Sequence, residues 1–98
     1  MSLIIWSQQA SQDIQRHYAF LQDMKTDAAV RAVKAILEAG ESLEQNPFRG
    51  TIVDENTGLR RLLVPFGKIG FVLHYQVFEA GASVVITKVY HGRENRPY

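Results

Sequence analysis

The stretch Leu59–Tyr75, LRRLLVPFGKIGFVLHY, limits the possible folds more than any other part of the chain. Two strand-like runs, Leu59–Val64 and Ile69–Val77, flank Pro65-Phe66-Gly67-Lys68. Proline lacks a backbone N–H and glycine tolerates positive φ, so the interruption reads as a turn or bulge rather than as continued strand. Ile69–Val77 is the clearest strand in the chain, rich in aromatic and β-branched residues. Glu79-Ala80-Gly81-Ala82 reads as a hairpin turn and Ser83–Tyr90 as the next strand. Short turns between consecutive strands imply an antiparallel meander of three. The last strand, SVVITKVY, is apolar on both faces, so its register and the side taken by Lys88 stay open.

The chain before this stretch reads as helical. Leu3–Trp6 is a short strand, and Ser7 is placed to cap a helix that runs to about Met24. Ala10, Ile14, Tyr18 and Leu21 recur at helical spacing, whereas Gln12, Asp13, Gln15, Arg16, Gln22 and Asp23 mark a solvated face. Thr26 or Asp27 can cap a second helix, whose buried stripe is expected at Val30, Val33, Ile36, Leu37, Gly40 and Leu43. Glycine at position 40 suggests close approach of another backbone, and Asn46-Pro47 ends the helix. The short connection makes the pair an antiparallel helical hairpin. Pro47–Gly58 reads as a loop, with at most a short extended piece at Thr51–Val53.

The expected architecture is α+β, one domain over residues 1–98, in the order β-α-α-β-β-β. The helical hairpin covers one face of the meander, since neither layer buries its apolar surface alone. The other face or an edge is then free for a partner.

Composition narrows function mainly by exclusion. The chain is 46% apolar and has no cysteine, which removes thiolate catalysis, Cys-ligated zinc and disulfides and fits a reducing cytoplasm. His17, His74 and His91 lack metal-ligand spacing, no glycine-rich phosphate loop is present, and no cofactor is expected. No apolar run is long enough for a membrane span, and the N-terminus does not read as a secretory signal. Charge is more informative. Residues 1–59 hold five Lys/Arg against eight Asp/Glu, net −3, whereas residues 60–98 hold six against two, net +4. A basic C-terminal half implies an anionic partner.

The candidate working groups are therefore Arg60, Arg61, Lys68, Arg93 and Arg96, interleaved with Tyr75, Tyr90 and Tyr98. Cations and aromatic rings together suit phosphate and stacked bases. Metal-free RNA cleavage would add a proton carrier, for which His74 and His91 are candidates; His17 reads as a half-exposed helical residue. Docking to an acidic protein fits the same arginines equally well.

These residues resemble the RelE/ParE superfamily of bacterial toxin–antitoxin toxins over nearly the whole length. Leu59-Arg60-Arg61-Leu62, Pro65-Phe66-Gly67, Gly70-Phe71-Val72-Leu73-His74-Tyr75 and Val89-Tyr90-His91-Gly92-Arg93-Glu94 carry the likeness, in that order. The Arg-x-Leu-x-x-Pro-Phe-Gly form is similar to the ParE branch. The resemblance implies a small cytoplasmic toxin neutralised by a cognate antitoxin, which would cover the helical hairpin groove or add a strand to a sheet edge. It also implies one of two targets. ParE-type toxins act on DNA gyrase by protein contact; RelE-type toxins cut mRNA in the ribosome without metal. The RNA-cutting branch commonly carries an arginine where this chain has Val72, which favours the gyrase reading, with Arg60, Arg61, Lys68, Arg93, Arg96 and Tyr98 as contact residues. In the ribonuclease alternative, Arg61 and Arg93 would stabilise the phosphate and His74, His91 or Tyr98 would move protons. A third alternative is an inactive antitoxin-binding module.

Overall fold

The computed structural model describes residues 1–94. In chain order it contains β1 (Leu3–Trp6), α1 (Gln8–Met24), α2 (Thr26–Glu41), a 3-10 turn at Ser42–Glu44, β2 (Thr51–Asp54), β3 (Leu59–Val64), β4 (Phe71–Phe78), a second 3-10 turn at Glu79–Gly81 and β5 (Ser83–His91). One sheet is formed in the order β1-β5-β4-β3-β2. The pairs β2–β3, β3–β4 and β4–β5 are antiparallel, and β1 lies parallel to β5.

The two-layer α+β reading holds, with one addition. The extended piece at Thr51 is a true strand, so the meander has four strands rather than three. The N-terminal strand closes the sheet on the β5 side, where its return to a parallel position is made through the helical hairpin.

Ser7 caps α1 as expected, its Oγ accepting from the Ala10 N–H at 3.0 Å. Neither Thr26 nor Asp27 caps α2. The cap position is Lys25, without a side-chain bond, and Asp27 lies in the first turn, where its charge suits the helix dipole. One residue in extended conformation therefore reverses the chain between the helices.

The core lies between the hairpin and one sheet face. Phe71, Leu73 and Tyr75 of β4 point toward the helices with Leu62, Val64, Val84, Ile86 and Val89, against Ala10, Ala32, Ile36 and Leu43. The stripe of α2 is rotated from the expected one: Ala29, Ala32, Ile36 and Gly40 are buried, while Val30 is 55% exposed and Leu37 is also exposed. Small residues are chosen because the helix sits close to the sheet. At Gly40 the neighbour is a side chain, not a backbone: an added Cβ would meet the Trp6 ring and lie 2.9 Å from Ile86 Cδ1.

The register left open around Lys88 is settled by a bulge. His74 pairs with Lys88 and Tyr75 with Ile86, leaving Thr87 as the extra residue. Its Oγ1 donates to the His74 carbonyl at 3.1 Å. The bulge lets Ile86 and Val89 both enter the core and turns Lys88 to the opposite face, which is why no strict alternation is visible in the strand.

Candidate functional site

Helix α1 contributes more than an apolar stripe. Asp13, expected on the solvated face, and His17, expected half-exposed, are both buried. They follow Ala10 at three and seven residues and so lie on its face. Strand β1 ends at Trp6, opposite Ile86, so among the described residues β5 has no strand neighbour on that side beyond this point. The helix takes the strand's place. The Ser7 N–H donates to the Ile86 carbonyl at 2.9 Å and Ser7 Oγ donates to the Thr87 carbonyl at 2.9 Å. Asp13 Oδ2 accepts from the Val89 N–H, and His17 Nε2 donates to the Val89 carbonyl, each at 2.9 Å.

The same helix ties down the end of β5. Glu94 accepts from the His91 N–H at 2.8 Å and from the Arg16 guanidinium at 3.3 Å, and lies 3.6 Å from His17 Nε2. Burial alone would raise the Glu94 pKa, but the His91 N–H and Arg16 outweigh it and hold the carboxyl below its usual range. Burial lowers the His17 pKa and keeps the ring neutral; the Val89 carbonyl and the nearby carboxylates only partly offset this.

Between α1 and the β3–β4 turn lies a hollow of about 410 Å³, floored by Phe71 and walled by Leu21, Phe20, Phe66 and Ile69. His17 and His91 flank Phe71, with ring centroids 5.2 and 5.8 Å from it. Arg16, Lys68 and Glu94 stand at its rim.

Among the described residues, the basic candidates do not converge on one site. Arg60 faces the helix side and is committed to the fold: its Nη1 donates to the carbonyls of Phe48 at 3.0 Å and Gly50 at 2.6 Å, and its guanidinium lies 5.2 Å from the Phe48 ring centroid. Tyr75 is a core residue whose hydroxyl accepts from the Gly50 N–H at 2.8 Å; burial raises its pKa, against the opposing effect of that bond. Arg61 points to the other face of the sheet, directly opposite His74. There a row crosses three strands: Arg61 on β3, His74 on β4 and Lys88 on β5. Tyr90 lies beside it, its ring edge-to-face with His74 at 5.0 Å and 6.0 Å from Lys88 Nζ. His74 is only 3% exposed.

His91 lies on the helix side, at the hollow, where its Nδ1 accepts from the Arg93 N–H at 3.3 Å. The two candidate proton carriers thus occupy opposite faces and cannot act as a pair. Lys68 is exposed in the β3–β4 turn and Arg93 is exposed after β5. Arg96 and Tyr98 lie outside the described residues. Val72, in the position where the resemblance expects an arginine for RNA cleavage, is 3% exposed, with Leu63 and Tyr90 as its cross-strand neighbours. Among the described residues, no group of three His, Asp or Glu side chains can hold a metal ion, and no helix is long and apolar enough to cross a membrane.

Sequence reasoning missed Asp13, Arg16, Glu94, Phe20 and Lys88 as site-forming residues. One signal was available: Asp13 and His17 are four apart and in step with Ala10 and Leu21, which places polar groups on a buried stripe.

Comparison with known proteins agrees with this architecture. Residues 4–96 match the family described as ParE toxin of type II toxin–antitoxin system, parDE. The chain is 32% identical to Toxin RelE1 of Caulobacter vibrioides over 93 residues, covering 95% of this chain and 96% of that protein. It is 34% identical to Toxin RelE3 of the same organism over 87 residues, covering 89% and 90%. Two solved structures share the fold at 20% identity. One is a chromosomal ParDE toxin–antitoxin system from P. aeruginosa, with TM-score 0.74 and coverage of 93% of this chain and 96% of that one. The other is the RelBE2 toxin–antitoxin complex from Mycobacterium tuberculosis, with TM-score 0.66 and coverage of 92% and 96%. The chain belongs to the ParE toxin family, within the RelE/ParE superfamily of type II toxin–antitoxin toxins.

Proposed function

We propose that this toxin is ParE-like: it inhibits DNA gyrase in the cytoplasm through protein–protein contact, without turnover chemistry, and is neutralised by a cognate antitoxin. The observation that carries the reading is Val72. A buried valine on the open sheet face supplies no phosphate-binding cation where the ribonuclease branch needs one. Arg60 is likewise withdrawn, its guanidinium held by two backbone carbonyls. Arg61, Lys68 and Arg93 remain as contact residues, and Arg96 and Tyr98 join them on the sequence pattern alone.

A second reading, ribosome-dependent mRNA cleavage, is favoured by the row Arg61, His74 and Lys88, and by the RelE names of the curated relatives. Two cations flanking an imidazole fit a charged phosphorane and a proton carrier. The burial of His74 works against it, since a proton carrier must reach its substrate.

Purified protein added to gyrase with supercoiled DNA, and separately to translating ribosomes with labelled mRNA, distinguishes the readings. Accumulated cleaved DNA with intact mRNA is expected. Codon-spaced cuts in the mRNA with normal gyrase would replace the first reading by the second. Inactivity in both, with tight antitoxin binding, would identify an antitoxin-binding module.

A further inference from the structure

Taking the gyrase reading as premise, we propose that the sheet face turned away from the helices is the surface that contacts the target, and that it fits a patch of gyrase in which apolar side chains stand beside carboxylates.

Strand register places the side chains. Leu3 lies in one row with Ser83 and Phe78, and Ile5 in the next with Val85 and Gln76. Beyond the bulge come the row of Arg61, His74 and Lys88 and then that of Leu63, Val72 and Tyr90. Alternation puts the core residues Val84, Ile86, Leu73 and Tyr75 on the helix side and these four rows on the other. A face that only met water would carry polar side chains there. Instead Leu3, Ile5, Leu63 and Phe78 are between 42% and 62% exposed on it. Exposed apolar surface gathered on one face marks an interaction site.

Charge and composition select the occupant. Arg61 and Lys88 stand on the two strands flanking β4, about 10 Å apart at two strand spacings. Neither makes an ion pair among the described residues. Asp54, at the outer end of β2, is the only acid among the described strand residues. Carboxylates of a partner therefore meet two unneutralised cations and no opposing row of acids. A nucleic acid would meet the same two cations, but tight backbone binding rests on about six to ten phosphate contacts. It would also leave four apolar side chains against phosphate. A second copy docked face to face would set the cationic row against its own like. Arg61 and Tyr90 are of the types that carry most interface energy, and Phe78 is of a type enriched at interfaces.

The test measures inhibition of gyrase supercoiling by the whole chain, and its affinity for immobilised gyrase at two salt concentrations. Leu3→Ser and Phe78→Ser remove exposed apolar surface; Arg61→Glu and Lys88→Glu reverse charge. Each is expected to weaken binding and inhibition about tenfold or more, and the losses from charge reversal should shrink at high salt. Lys34→Glu, the same reversal at an exposed position of α2, is expected to change either by less than about threefold. Affinity for the full-length cognate antitoxin is expected to stay at the wild-type value in all five, which separates lost contact from lost folding.

Wild-type inhibition by the four face variants, or an equal loss in Lys34→Glu, would overturn the assignment. A matching loss of antitoxin affinity would give the face to the antitoxin instead. Capture of a labelled DNA or RNA oligonucleotide, abolished by Arg61→Glu and Lys88→Glu but untouched by Leu3→Ser and Phe78→Ser, would give it to nucleic acid. Self-association of the toxin alone, abolished by Phe78→Ser, would give it to a second copy. A wild-type protein that neither binds nor inhibits gyrase would refute the gyrase reading itself, and this use of the face with it.

Discussion

Asp13→Ala removes the buried carboxylate that accepts the Val89 N–H at 2.9 Å. No strand is available to replace it, because β1 stops at Trp6. The Val89 N–H is then left without a partner in the core, at a cost of roughly 1–3 kcal/mol, toward the upper end because the lost acceptor is charged. Release of the carboxylate's own desolvation cost offsets part of this. The net expectation is a loss of about 2 kcal/mol, a substantial share of the roughly 5–15 kcal/mol that stabilises a typical domain. The neighbouring Arg16→Ala is the control. Its side chain is 53% exposed, so its ion pairs with Asp13 and Glu94 contribute at most about 1 kcal/mol. Urea denaturation measures both losses, and native-state hydrogen exchange at the Val89 amide reports where the damage falls. Because His17 serves the carbonyl of the same residue, the double substitution Asp13→Ala/His17→Ala should cost less than the sum of the two. An Asp13→Ala protein within about 0.5 kcal/mol of wild type, with the Val89 amide still protected, would refute the view that α1 stands in for a strand.

His17 also makes stability depend on pH. Its folded pKa is lowered from 6.5, so the unfolded chain binds the proton first, and stability falls as pH drops below about 6.5 until the folded pKa is passed. Melting temperatures between pH 7.5 and 5 should show this slope, and His17→Gln, which keeps an N–H donor but does not titrate, should flatten it. Gly40→Ala should lose about 1–3 kcal/mol from crowding against Trp6 and Ile86, although alanine is the better helix former by about 1 kcal/mol; thermal denaturation decides the sign. Adjacent arginines should separate cleanly. Arg60→Ala should lower stability by about 1–2 kcal/mol through the freed carbonyls of Phe48 and Gly50. Arg61→Ala should leave stability within about 0.5 kcal/mol and reduce growth inhibition on expression, read by urea melts and by plating.

The strands and helices were legible because their signals are local. Ser7 caps, Pro65-Phe66-Gly67 breaks, and Phe71, Leu73 and Tyr75 share the core face, as their spacing implies. The errors arise where tertiary contacts override pattern. Val30 and Leu37 looked like core on hydrophobicity, but close packing of α2 on the sheet selects Ala29 and Ala32. Asp13 and His17 looked like surface on polarity, but the missing strand partner of Val89 draws them in. The two-sided run around Lys88 hid a bulge that no alternation rule could reveal. Site residues were harder still. The arginine pair was visible, yet neighbours on a strand face opposite ways, so Arg60 is engaged by the Phe48 and Gly50 carbonyls while Arg61 lies on the other face of the sheet.

The sheet edges bear on how a partner can engage this toxin. A strand-adding partner needs an accessible row of backbone groups. On the β1 side, continuation along β5 is blocked by Ser7, Asp13 and His17, which already hold the groups of Ile86, Thr87 and Val89. The start of β1 is also engaged, with the Ser2 N–H donating to the Glu44 carbonyl at 2.8 Å. The outer edge of β1 is only four residues long, and the opposite edge is β2, also four residues long, with a register irregularity between Ile52 and Asp54. Short, bulged edges pair poorly with further strands. The fold therefore uses α1 to close β5 beyond the end of β1 and leaves two short edge strands as weak templates. A partner that must bind tightly then gains more from side-chain pockets, such as the hollow beside that same helix, rimmed by Arg16, Lys68 and Glu94.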